Sequence, residues 1–243
     1  MLVDPDGRKI SGDTAMVDKL ENAAGSIIKS EEARQVRLQK RIDKRIAKGK
    51  STDKLEAKMS DSKARVDEIK GLLSDISNLR KSTQEYHINS NWTPTGVSGI
   101  DGETVYNPQT GAIDVNITAS YGIAGLAHEL THAFQFDQGL TDFNLDGINR
   151  GYLHDITDEQ AAYRRQFAIN GGIKGKSSRS QIADSCVRGL STQHTYLPAF
   201  HMNKKAPLQK LFMFHGTINL KLTYYPSFGH AIKSYQDAKK YSF

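Results

Sequence analysis

From residue 13 onward, apolar side chains recur at steps of three and four. Leu20, Ala24 and Ile27, then Leu38, Ile42 and Ile46, punctuate a stretch of Glu, Lys, Arg and Gln that runs to residue 48. That period predicts an amphipathic helix. Gly49-Lys50-Ser51 interrupts it, and Asp53 with Glu56 three residues on marks a second helix start. Leu55, Met59, Ser62, Val66, Ile69, Leu73 and Ile76 then form a heptad seam with one polar position, Ser62. Two such helices with a short turn predict an antiparallel hairpin, each arm about 45 Å long.

Beyond residue 91 the period changes. Thr104-Val105-Tyr106 reads as a short strand and Asn107–Gly111 as a turn. Ile113, Val115 and Ile117 then alternate with Asp114 and Asn116, which predicts a half-buried strand paired with the first as a hairpin. Helical spacing returns from Ile123 to Phe136. A further helix starts near Thr157, which forms a capping box with Gln160, and ends at Gly171-Gly172. Another spans Gln181 to Leu190. The predicted class is α+β, with a small mixed or antiparallel sheet, preceded by the long helical hairpin.

Composition sharpens this division. Residues 1–90 hold 19 Lys/Arg and 15 Asp/Glu, yet only Tyr86 of the chain's 20 aromatics. Without aromatics, that part can hardly build a core of its own. Seven of the eight histidines also follow residue 90. The organisation is therefore read as residues 1–12, a hairpin at 13–90 and a globular part at 91–243. No apolar run reaches the roughly 18 residues of a membrane-spanning helix, and no signal peptide is visible. Arg34 to Arg45 is locally basic, but the excess over 1–90 is small. It reads as a solvated helix face, with a groove-binding or membrane-surface helix as the alternative, so no nucleic-acid partner is expected, because binding would need a clustered face of one sign.

The strongest chemical signal is His128-Glu129-Leu130-Thr131-His132. On a helix, positions i and i+4 share a face, so two imidazoles can reach one zinc ion. Glu129 is placed to act as general base on a water held there. A catalytic zinc needs three protein ligands and an open position. A histidine six residues after His132 is ruled out, because Gln135 and Gln138 stand where that pattern requires Gly and His. Glu159 on the next helix is the expected third ligand, with Asp158 and His154 as alternatives. Asp155 is a candidate acceptor for a ligand imidazole N–H. Tyr196 and His201 are candidates for steadying the oxyanion of a tetrahedral intermediate. The single cysteine, Cys186, lacks any nucleophile signature and can form neither a disulfide within the chain nor a cysteine-based zinc cluster. The Asp- and Gly-rich stretch from Asp137 to Gly151 lacks the fixed acids of a calcium loop and reads as a connection.

A strand, an HExxH helix and a second helix with Glu resemble the zincin metallopeptidases. Over about residues 100–170, HELTHAFQFDQG and TDEQAAYRRQF resemble zincin toxin modules at the C-termini of RHS-repeat polymorphic toxin proteins. Val3–Arg8, VDPDGR, resembles the segment that closes an RHS core, which makes residues 1–12 a leader of that kind. The resemblance implies a zinc metalloendopeptidase hydrolysing protein or peptide substrates. It further implies an effector delivered as part of a larger exported protein and neutralised by a cognate immunity protein. The alternative is a non-catalytic binding module of an RHS-type protein with a vestigial or structural zinc site.

Overall fold

The computed structural model describes residues 10–94, 101–141 and 156–171. The expectations for residues 1–9, most of the Asp137–Gly151 connection and the helix at Gln181–Leu190 fall outside them.

The two long predicted helices form. Helix α1 spans Thr14–Ile46 and is capped by Asp13, whose carboxylate accepts from Met16 N at 3.2 Å. Gly49 turns the chain with φ +61°, and Arg45 Nε donates to Ser51 O at 2.6 Å across the turn. Helix α2 spans Asp53–Lys81, so Thr52 is its N-cap and Asp53 its first residue. The polar seam position is explained by a partner on α1. Ser62 Oγ donates to Glu31 Oε2 at 2.7 Å, and Arg65 Nη1 donates to Glu31 Oε1 at 3.0 Å. Burial alone would raise the Glu31 carboxyl. The Ser62 hydrogen bond and the Arg34 and Arg65 guanidinium groups outweigh it and hold the carboxyl below its usual value.

Outside this rung the two arms pack on each other through Leu38, Ile42, Leu55 and Met59. Ile46, expected on the apolar face of the first helix, is 61% exposed at its last residue. Towards the base, Leu72 is buried where Leu73 was expected, and Leu73 is half-buried. The shift follows from α2 packing there on α3 and α4 as well as on α1.

Four strands form one mixed sheet in the order β1-β2-β4-β3. They are β1 (Ile10–Gly12), β2 (Tyr86–Asn89), β3 (Gly102–Tyr106) and β4 (Ile113–Ile117). The β3–β4 pair is the expected antiparallel hairpin, with Tyr106 opposite Ile113. Its turn is tied by Asn107 Oδ1, which accepts from Gln109 N at 3.0 Å. The other two pairings, β1 with β2 and β2 with β4, are parallel. Neither short strand was read from the sequence.

Helix α3 (Gly122–Asp137) lies on the sheet, and α4 (Ile156–Asn170) packs against it. Thr157 therefore sits inside α4 rather than at its cap. One buried cluster joins Leu20, Ile69 and Ile76 of the hairpin to Ile113, Val115 and Ile117 of β4, Leu126 and Leu130 of α3, and Ile169 of α4. The core thus runs straight across the compositional boundary at residue 90.

Two arginines fasten α4 to α2. Arg165 Nη1 reaches Glu68 Oε2 at 2.9 Å and Nη2 reaches Asp75 Oδ2 at 3.1 Å. Its guanidinium lies against Gly71, where any β-carbon would collide with it. Arg65 Nε donates to Ala168 O at 2.7 Å, which satisfies a free carbonyl in the last turn of α4.

Candidate metal centre

Helix α3 is buried almost all round, so its polar residues have to find partners inside the protein. His128, Glu129 and His132 are each no more than 3% exposed. The two imidazoles lie one turn apart with Nε2 atoms 3.2 Å from each other. Glu159, in the first turn of α4 and 1% exposed, faces both. Its Oε2 is 3.4 Å from His128 Nε2 and its Oε1 is 3.4 Å from His132 Nε2. One donor atom from each of the three residues falls within 4.8 Å of the others.

The hydrogen bonds around His132 define its tautomer. Gln135 Nε2 donates to the Asp158 carbonyl at 3.0 Å, and a carbonyl can only accept. The amide oxygen Oε1 therefore faces His132 Nδ1, 2.8 Å away, and Nδ1 must carry the proton. His132 Nε2 is left with its lone pair directed into the cluster. A bare imidazole nitrogen, a second imidazole and a carboxylate converging in a buried space are a donor set for a divalent cation. The arrangement fits zinc in composition: two nitrogens and one carboxylate. Gln135 also links the two ligand helices, since its acceptor Asp158 adjoins Glu159. His128 Nδ1 is buried and has no hydrogen-bond partner among the described residues.

Glu129 turns towards the sheet instead. Its Oε2 lies 2.9 Å from Thr104 Oγ1 on β3, and its backbone carbonyl lies 3.0 Å from the same hydroxyl. Gly102 on the same strand leaves room for the carboxylate, because a β-carbon there would stand 2.9 Å from Glu129 Oε1. Two tyrosine rings flank His128. Tyr163 packs edge-on with centroids 4.5 Å apart, and Tyr121 lies at 6.4 Å. Burial and the nearby Glu129, Tyr163 and Glu159 push the Tyr121 phenol far above its usual value, so it stays protonated.

Of the residues singled out from sequence, the fold brings together His128, Glu129, His132 and Glu159. Asp158 is buried next to them and contributes its backbone carbonyl to Gln135. His154, Asp155, Tyr196 and His201 lie outside the described residues. Sequence reading missed Thr104, Gln135, Tyr121 and Tyr163. Gln135 had a detectable signal, since it lies three residues after His132 on the same helix face. No family model matches the chain, and neither does any curated protein or solved structure.

Proposed function

We propose that the chain is a zinc-dependent hydrolase of peptide bonds, with a zincin-like domain. The observation that carries the proposal is the convergence of His128, His132 and Glu159 with Glu129 one residue along the same helix. In this reading His128, His132 and Glu159 hold the metal. A bound zinc supplies Lewis-acid polarisation of a scissile carbonyl and of water. Glu129 takes a proton from the attacking water and passes it to the leaving amine. Thr104 steadies the Glu129 carboxylate, and Tyr121 and Tyr163 bring two phenols near the site. Among the described residues the site has three donors with an acid beside them, which favours a catalytic site over a structural one, which would use four.

The likeness to the toxin modules of RHS-repeat proteins supports assigning this activity to a delivered effector, with an immunity protein as its inhibitor. A proteome digest with zinc-loaded and chelated protein, read by mass spectrometry, tests the activity. New cleavage sites should appear only with zinc. The Glu129→Gln variant should keep its zinc and lose cleavage; full activity in it would remove Glu129 from the mechanism. The His128→Ala variant should also lose zinc by elemental analysis.

A further inference from the structure

The helical hairpin is only partly used by the site. Its base belongs to the core, whereas α1 continues for about 22 Å beyond the Glu31–Ser62 rung. Charge is unevenly placed along it. Residues 34–63 contain 11 Lys/Arg and four Asp/Glu, a net charge of +7. The remaining 213 residues contain 22 and 23, a net charge of −1. The whole excess of this basic chain therefore lies on the outer part of the hairpin.

Geometry concentrates it further. At 3.6 residues per turn, Arg34, Arg37, Lys40, Arg41, Lys44 and Arg45 all fall within about 140° of the circumference of α1. Asp43 is the single acid between residues 33 and 50, and it lies outside that arc. It accepts a hydrogen bond from Gln39 Nε2 at 2.8 Å instead of pairing with a lysine. Arg34 is neutralised by Glu31 at 3.1 Å. The other five are exposed. Arg45 spends one N–H on the Ser51 carbonyl, and among the described residues Arg37, Lys40, Arg41, Lys44 and Arg45 have no acidic partner. On α2 the same stretch is mixed, with Lys54 and Lys58 set among Asp53, Glu56 and Asp61.

We propose that this face of α1 binds the phosphate backbone of duplex nucleic acid. A narrow stripe of one sign on a straight helix matches a line of phosphates. The tip carries no aromatic on which an unpaired base could stack, so a single strand is disfavoured. A bilayer is the other polyanionic surface. It would call for an exposed apolar face beside the cations, and here Leu38 and Ile42 are spent in the seam with Leu55 and Met59. The two large exposed aliphatics of α1, Val36 and Ile46, lie outside the basic arc. From sequence alone this stretch reads as a solvated helix face; the structure sets its six cations within one arc of α1, with Asp43 outside it.

The test is fluorescence anisotropy of the full chain with a 20-base-pair DNA duplex of two unrelated sequences and an RNA duplex, between 50 and 300 mM KCl. Five neutralised phosphates predict a slope of log K against log salt of about −4.5, the same for both DNA sequences. Lys40→Gln, Arg41→Gln and Lys44→Gln together should flatten the slope to about −1.8. Lys54→Gln with Lys58→Gln should leave it nearly unchanged. Circular dichroism and zinc content should match the parent in both variants, because these side chains are exposed and make no hydrogen bond or ion pair among the described residues. Absence of duplex binding at 50 mM KCl would overturn the proposal. So would an unchanged slope in the triple variant, or binding to phosphatidylserine vesicles without binding to duplex. None of these outcomes bears on peptide hydrolysis, which does not involve this face.

Discussion

Arg165 offers a way to test whether the hairpin holds the metal site together. It joins α4, which carries Glu159, to Glu68 and Asp75 of α2, and all three side chains are 11 to 17% exposed. Replacing Arg165 by Met keeps the aliphatic volume and removes the hydrogen bonds to the Glu68 carbonyl, the Glu68 carboxylate and the Asp75 carboxylate, each worth about 1.5–3 kcal/mol. Glu68 can rotate towards water and Asp75 can take up a proton, so the net cost should be about 2–4 kcal/mol. For a chain of this size that lowers the melting temperature by about 6–12 °C.

Acid should reverse part of the loss. Burial already pushes the Asp75 carboxyl above its usual value, and Arg165 pulls it down. An acid whose folded pKa is raised costs stability while ionised, and that cost fades as pH falls through the folded value. Without Arg165 the value rises further. The deficit of Arg165→Met should therefore be largest at pH 7 and smaller at pH 5, and adding Asp75→Asn should recover part of it. Urea unfolding followed by circular dichroism measures stability, and competition with a chromophoric chelator measures zinc affinity, which should weaken because α4 is loosened. A variant within 0.5 kcal/mol of the parent at pH 7, or a deficit independent of pH, would refute the reasoning.

Three further outcomes follow from the same contacts. Thr104→Val removes the hydroxyl facing the Glu129 carboxylate and should lower peptide turnover about 10- to 100-fold at unchanged zinc content. Gln135→Leu frees the His132 ring and should weaken zinc binding about 10- to 100-fold by chelator competition, and Gln135→Glu should not restore it because a carboxylate repels the Asp158 carbonyl. Glu31 has a folded pKa below 4.5, so its contribution is complete above that pH and is lost as pH falls through the folded value. Glu31→Gln should accordingly cost about 1–3 kcal/mol at pH 7 and progressively less as pH falls below 4.5, read from urea midpoints.

Local periodicity made most of the elements legible. The hairpin arms, the β3–β4 pair and the metal helix are each specified by residues within one or two turns or one hairpin. Glu159 was legible for a related reason: an acid in the first turn of a helix needs no long-range information to be noticed. The short strands β1 and β2 carry three and four residues, and they are defined by pairing with each other across the whole hairpin. Nothing local marks such a pairing. Glu31 looked like one more charge on a polar helix, and only the position of Ser62 on the opposite arm shows it buried. Thr104 was similar. Its role arises from α3 lying on β3, a packing that no spacing within either segment encodes.

Parallel neighbours cannot be joined by a tight turn, so a connection must cross over between β1 and β2. The hairpin is that crossover, with far more chain than the task requires. Past the Glu31–Ser62–Arg65 rung, no hydrogen bond or ion pair among the described residues ties its length to the sheet or to α4. One heptad added to each arm would carry the tip about 10 Å further out while the strands and the His128, His132 and Glu159 cluster stay in place. The outer arm is in effect a boom whose span can drift or be engineered independently of the chemistry at its foot.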